Sequence, residues 1–401
     1  MRFPPTTIRL RIIASVALLS GFAGTTPVYA RHDDRSDARA IQSDAQIKDQ
    51  GDRDNKRAGN DREGQAGESH AEQEQAHGQP LLYLSPNGGS RDMLTLFQYP
   101  ESWPSVLHRM DVFSINLYNL SDPPSAACKQ WCGPNTFPAL KAVDAFRELK
   151  RWGKRLDVQM EPISPSPAGA RVAARDNADA RAQMTLAGLD NLTAAGGEVA
   201  SITLDEPLQF ATRDTFHNNY TLQETLDAVK HYEQVIRSRY PAVRIGEFMP
   251  YPYFSAQQIM DWYDAEIAAG AAPSHVHLDV NYPRLLAPGH AAELARFRRD
   301  LPQLIGYFRK RGIVPGITFD STDAGHLNSN QQFYRLTMRH FELVRSILPA
   351  LPEHIRFESW DNDPGGKKLW PDNLPEDGNY SLTCLINLIL KLAPVTSCAE
   401  K

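Results

Sequence analysis

Residues 198–207 read Glu-Val-Ala-Ser-Ile-Thr-Leu-Asp-Glu-Pro, and the fold is decided there. Val199, Ile202 and Leu204 suit a short buried strand, which runs straight into Asp205-Glu206-Pro207. Pro207 lacks a backbone donor and is expected to hold Glu206 in extended geometry, so the strand stops there and delivers a carboxylate at its C-terminal end. Five further apolar segments finish in the same way: residues 156–162, 243–250, 275–282, 314–321 and 354–362. Helix-like stretches separate most of them. Repeated strand–helix units with polar groups at the strand ends predict an α/β fold, a parallel (β/α)8 TIM barrel whose reactive face gathers those groups.

Working outward, the expected strands are residues 92–97, 112–118, 156–161, 198–206, 243–248, a sixth at the 275–282 segment, 314–319 and 355–359. Amphipathic spacing predicts helices over 137–152, 178–194, 222–240, 255–269, 289–310, 329–348 and 383–392. The chief alternative, a doubly wound sheet, would need a phosphate loop or dinucleotide fingerprint, and neither is present.

The chain opens with Arg2, Arg9 and Arg11 before an apolar run from Ile12 to Ala23, then Pro27-Val28-Tyr29-Ala30. This is the pattern of a secretory signal over about residues 1–30, so export to the periplasm or the medium is expected. Residues 31–80 carry 12 acidic and 8 basic side chains and no Phe, Trp or Tyr, which predicts a disordered polar linker. Residues 81–401 then form the catalytic barrel domain. The formal net charge of −5, with no basic stripe, excludes nucleic acid as the expected partner. Neither stable membrane insertion nor oligomerisation is expected.

In an oxidising compartment the four cysteines read as two local disulfides, Cys128 with Cys132 and Cys384 with Cys398. No cofactor is required. His275 and His277 share a face of one strand and would matter to a metal only if they converged with Asp or Glu.

Glu206 is the first candidate for general acid/base, and Asp205, its neighbour in an extended strand, is expected to face the other way as a structural group. Here the chain resembles the barrel glycoside hydrolases that carry an acid/base at the end of strand four and a nucleophile at the end of strand seven. The resemblance spans roughly residues 82–398. Glu206 in Leu204-Asp205-Glu206-Pro207 matches the acid/base, with Asp-Glu-Pro in place of the family's Asn-Glu-Pro. Asp320 falls where the resemblance implies a glutamate nucleophile, and Glu358 is its main rival. Glu247 is a further catalytic candidate. Glu161, Tyr251, Tyr253, Asp279, Asn281, Tyr282, Trp360, Asp361 and Asn362 are the expected substrate contacts, since aromatic faces and paired donors and acceptors suit sugars. These features predict a glycoside hydrolase acting on an oligo- or polysaccharide. The alternatives are an inactive carbohydrate-binding barrel and a metal-dependent hydrolase.

Overall fold

The computed structural model describes residues 79–321, 327–360, 368–394 and 398–399. The expected signal and nearly all of the linker lie outside them. Eight parallel strands close a barrel in chain order: β1 (Leu81–Ser85), β2 (Val112–Asn116), β3 (Arg155–Met160), β4 (Val199–Leu204), β5 (Arg244–Tyr251), β6 (His275–Val280), β7 (Val314–Phe319) and β8 (His354–Glu358). Closure is direct, with Leu81 to Ser85 of β1 registered on His354 to Glu358 of β8.

The helical jacket begins with α1 (Thr95–Gln98), α2 (Pro104–Arg109), α3 (Ala126–Trp131), α4 (Phe137–Ala142) and α5 (Ala145–Arg151). It continues with α6 (Ala174–Ala194), α7 (Pro207–Thr212), α8 (Leu222–Arg239) and α9 (Ala256–Ala269). The last four are α10 (Tyr282–Leu286), α11 (Ala291–Lys310), α12 (Asn330–Ile347) and α13 (Leu382–Leu390). Among the described residues, no helix is long and apolar enough to cross a membrane.

Two expectations fail. The first strand is residues 81–85, and the stretch proposed for it, 92–97, instead enters α1. Met93, Leu96 and Phe97 are the buried residues there, and their spacing of three and four is helical rather than alternating. The helix predicted over 137–152 is broken in two, because Asp144 takes a left-handed conformation at φ 54° and starts α5 afresh.

Alternation along each strand sorts the barrel into two environments. Leu82, Phe113, Val158, Ile202, Leu204, Ile245, Leu278, Ile317 and Phe357 face outward into the helices and form the apolar core. The inward set is polar. Arg356 of β8 reaches both Asp157 of β3 and His277 of β6, which is possible only through the interior. Asp157 accepts from Ser114 (2.6 Å), Ser201 (2.7 Å), Thr203 (2.8 Å) and Arg356 (2.8 Å). Glycines make room for the rings: a Cβ on Gly246 would lie 2.2 Å from His275 Nε2, and one on Gly316 2.2 Å from His277 Cδ2.

Both expected disulfides are present, Cys128–Cys132 and Cys384–Cys398. The second ties α13 to the tail across a separation of 14 residues. Replacing both of its cysteines by alanine is expected to cost about 3 kcal/mol in urea unfolding, through the lost constraint on the unfolded chain.

Candidate active site

The C-terminal ends of β3, β4 and β8 bring three carboxyl groups into one electrostatic cluster: Glu161, Asp205 and Glu358. Asp205 was expected to turn away. The parity of β4 puts it inside instead, because Ser201 and Thr203 bond to buried Asp157 while Ile202 and Leu204 pack outward. Asp205 keeps part of its surface exposed. Burial, then the nearby charges of Glu161 and Glu358, raises its pKa well above the ordinary carboxyl range, against the pull of Arg356 and Arg181.

Glu358 is buried, and its Oε1 accepts from Gln159 at 3.0 Å. Its Oε2 lies 2.9 Å from Arg356 Nε, a charge contact without hydrogen-bond alignment. Burial raises its pKa as well, but Arg356 and Gln159 oppose the rise. Glu161 is held by Arg181 of α6, which also donates to its backbone carbonyl, and by the hydroxyl of Tyr118 at 3.1 Å.

Beneath the cluster, Arg356 fixes the proton order of the histidines. Arginine only donates, so His277 Nδ1, 3.1 Å from Arg356 Nη1, is the acceptor. His277 Nε2 therefore carries the hydrogen and donates to His354 Nδ1 at 3.1 Å. His354 Nε2 is then an N–H with no partner among the described residues. Burial lowers the pKa of His275 to about 3 and puts His277 and His354 well below the ordinary value, so all three are neutral. His275 contacts Thr203 and Ser274. Among the described residues, no group of three or more His, Cys, Asp or Glu side chains is arranged to hold a metal.

Glu206 lies just beyond β4. It is not extended as expected: φ 43° and ψ 50° make it left-handed, because the chain turns abruptly into α7 at Pro207. Its carboxylate accepts from Gln209, whose Oε1 accepts from Arg213 at 3.0 Å. Arg213 in turn lies 4.5 Å over the ring of Tyr253, and Asn281 donates to the Tyr253 hydroxyl at 2.8 Å. Glu206, Tyr253 and Asn281 thus form a continuous rim from β4 to β6. Half-buried Asp279 lies at the end of β6, Asp320 is buried just past β7, and half-buried Trp360 follows Glu358 by two residues.

Three sequence candidates lie elsewhere. Glu247 is on the outward face of β5, where Trp262 of α9 donates to it at 3.2 Å. Tyr251 is also outward and buried, bonded to Asp300 at 3.1 Å and packed on Phe297 of α11. Tyr282 stacks on His340 of α12, with ring centroids 4.9 Å apart. Asp361 and Asn362 fall outside the described residues. Sequence reasoning missed Asp205, Gln159, Arg181 and Arg356. The polar alternation of Ser201, Thr203 and Asp205 was the available signal for the first.

No protein-family model matches the chain, and no curated protein matches it in sequence. Among solved structures it is similar to a GH26 β-mannanase from Bacteroides ovatus, with a TM-score of 0.50 and 9% identity over 79% of this chain and 89% of that one. It is also similar to the catalytic domain of a GH26 endo-β-1,4-mannanase from Bacillus sp. JAMB-750, with a TM-score of 0.49 and 14% identity over 73% and 80%. At such identities likeness speaks for the fold alone, a closed, helix-jacketed (β/α)8 barrel.

Proposed function

We propose that this chain is an exported glycoside hydrolase, with Asp205 as proton donor and Glu358 as the charged partner. The observation that carries this reading is the difference between two neighbouring carboxyls. Burial raises both, but Asp205 is pushed well above the ordinary range, whereas Arg356 and Gln159 hold back the rise at Glu358. Two carboxyls whose environments separate their proton affinities are what hydrolysis of a glycosidic bond needs. Asp205 gives its proton to the leaving oxygen. Glu358 either attacks the anomeric carbon or takes a proton from the attacking water. The charge on Glu161, held by Arg181, helps keep the proton on Asp205. Glu206, Tyr253 and Asn281 contact the sugar at the rim. Export to the periplasm or medium rests on the N-terminal sequence pattern.

The test is a glycan-library hydrolysis screen of residues 81–401 and the Asp205→Asn, Glu358→Gln and Glu206→Gln variants, with binding measured alongside. Asp205→Asn and Glu358→Gln are expected to lower kcat by about 10²–10⁴ while binding persists. Glu206→Gln is expected to weaken binding more than turnover. The reverse ranking, with Glu206→Gln inactive and Asp205→Asn active, would overturn the assignment. The rate should be bell-shaped in pH: the acid limb reports protonation of Glu358 and the alkaline limb deprotonation of Asp205.

A second reading, a carbohydrate-binding barrel without turnover, draws on the occupancy of Glu161 by Arg181 and of Glu358 by Gln159. Binding by the unaltered protein with no hydrolysis across the library would favour it.

A further inference from the structure

The outward face of β5 carries a feature that sugar chemistry does not use. Glu247 of β5, Glu266 of α9 and Glu233 of α8 are all buried where these elements meet, at 1%, 0% and 6% exposure. Among the described residues, the one cation facing them is Arg237 of α8, whose Nε is 3.5 Å from Glu233. The other polar neighbours are Trp262 and Tyr263 of α9, the Tyr263 hydroxyl also within hydrogen-bonding reach of Glu247, with Tyr307 of α11 behind Tyr263. Trp262 donates to Glu247 Oε2, leaving Oε1 without a partner among the described residues. Both oxygens of Glu266 are equally unmatched.

Two ionised carboxylates in this place would be acceptor facing acceptor, desolvated, with no opposite charge of their own. A proton on one of them turns the same contact into a donor–acceptor pair and removes one charge. Glu247 and Glu266 are indeed within hydrogen-bonding reach of each other.

We propose that Glu247 and Glu266 share a proton, that this acid pair latches α9 onto the outer face of β5, and that the latch is released as pH rises. The direction follows from burial, which raises Glu247 to about 7, Glu233 to about 8 and Glu266 well above the usual range. An unfolded glutamate titrates near 4.3, at about the ordinary value. The folded state therefore binds more protons than the unfolded state from about pH 4.3 upward. Stability present in mild acid is lost as pH climbs through the folded values. Because β5 runs on into the turn that carries Tyr253, release of α9 would also loosen one wall of the reactive face.

The experiment uses the full chain and needs no substrate, so it stands or falls apart from the hydrolase reading. Thermal unfolding is followed from about pH 5 to about pH 9 for the unaltered protein and for Glu266→Gln, in which an amide supplies the donor at every pH. The Tm of the unaltered protein should fall across this range, and the fall should be visibly shallower in the variant. Infrared difference spectra at neutral pH, recorded in an Asp205→Asn background to take out the carboxyl proposed as proton donor, should show a protonated-carboxyl carbonyl band that loses intensity in Glu266→Gln or Glu247→Gln, while the contribution of Glu233 remains. An unchanged Tm slope in Glu266→Gln would overturn the latch. If that variant fails to fold, the infrared comparison of Glu247→Gln decides. Absence of any protonated-carboxyl band from Asp205→Asn at neutral pH would overturn it and leave the hydrolase reading untouched.

Discussion

Replacing Arg356 with methionine is expected to cost about 3–5 kcal/mol in urea unfolding, the largest effect of any single charge removal in the barrel. Arg356 is fully buried, and its guanidinium is the only cation in direct contact with Asp157 and Glu358 among the described residues. Its loss leaves the Asp157 carboxylate with three hydroxyl donors and no opposite charge, and leaves His277 Nδ1 without its donor. The pH signature should change too. Burial alone would raise Asp157, but Arg356, with the hydroxyls of Ser114 and Ser201, outweighs it and holds the group below its ordinary value. Asp157 therefore contributes stability above the unfolded pKa, near 3.9 at about the usual value, and that contribution is lost as pH falls through the lower folded value. In Arg356→Met this acid-side loss should shrink. Asp157→Asn combined with Arg356→Met should recover part of the cost, since neighbours in one network do not add. A fully additive double variant would contradict the assigned pairing.

The second large effect is expected from a single methyl group. Gly246→Ala places a Cβ 2.2 Å from His275 Nε2, 2.3 Å from Cε1 and 2.4 Å from Cδ2. The ring cannot step aside, because it is buried between Tyr83, His277 and His354 and meets Thr203 and Ser274 at its two nitrogens. Overpacking ordinarily costs about 1–3 kcal/mol, and this contact should reach the upper end or prevent folding. Gly316→Ala meets the same obstacle at His277 and His354. The diagnostic measurement is Gly246→Ala in a His275→Ala background. There the added methyl has space, and most of its cost should vanish. If the cost persists, the glycine is needed for some reason other than the imidazole.

Seven of the eight strands were legible, because short β-rich runs ending in Asp, Glu or Asn are a local signal. The first was not: residues 81–85 carry little polar punctuation, whereas Met93, Leu96 and Phe97 looked strand-like in composition while being spaced as a helix. The site was legible as strand ends but not as a set of neighbours. Glu206 drew attention through its place before Pro207, yet the turn into α7 leaves it left-handed at the rim and gives the inward place to Asp205. Glu247 shares the strand-end pattern but belongs to the opposite parity of β5. Arg181 and Arg356 carry no local mark at all, since their roles come from contacts 20 and 199 residues away in sequence, to Glu161 and Asp157.

The proposed chemistry requires the carboxyl just past β4, Asp205, to hold its proton to higher pH than its neighbour Glu358 on β8. Carbon-detected NMR titration of the aspartate and glutamate side chains, with Asp205 and Glu358 assigned through Asp205→Asn and Glu358→Gln, tests it most directly. Asp205 is predicted to remain protonated well beyond the pH at which the exposed aspartates have ionised, and to titrate after Glu358. If Asp205 ionises with the exposed aspartates, at about pH 4, it is no proton donor and the proposed chemistry fails.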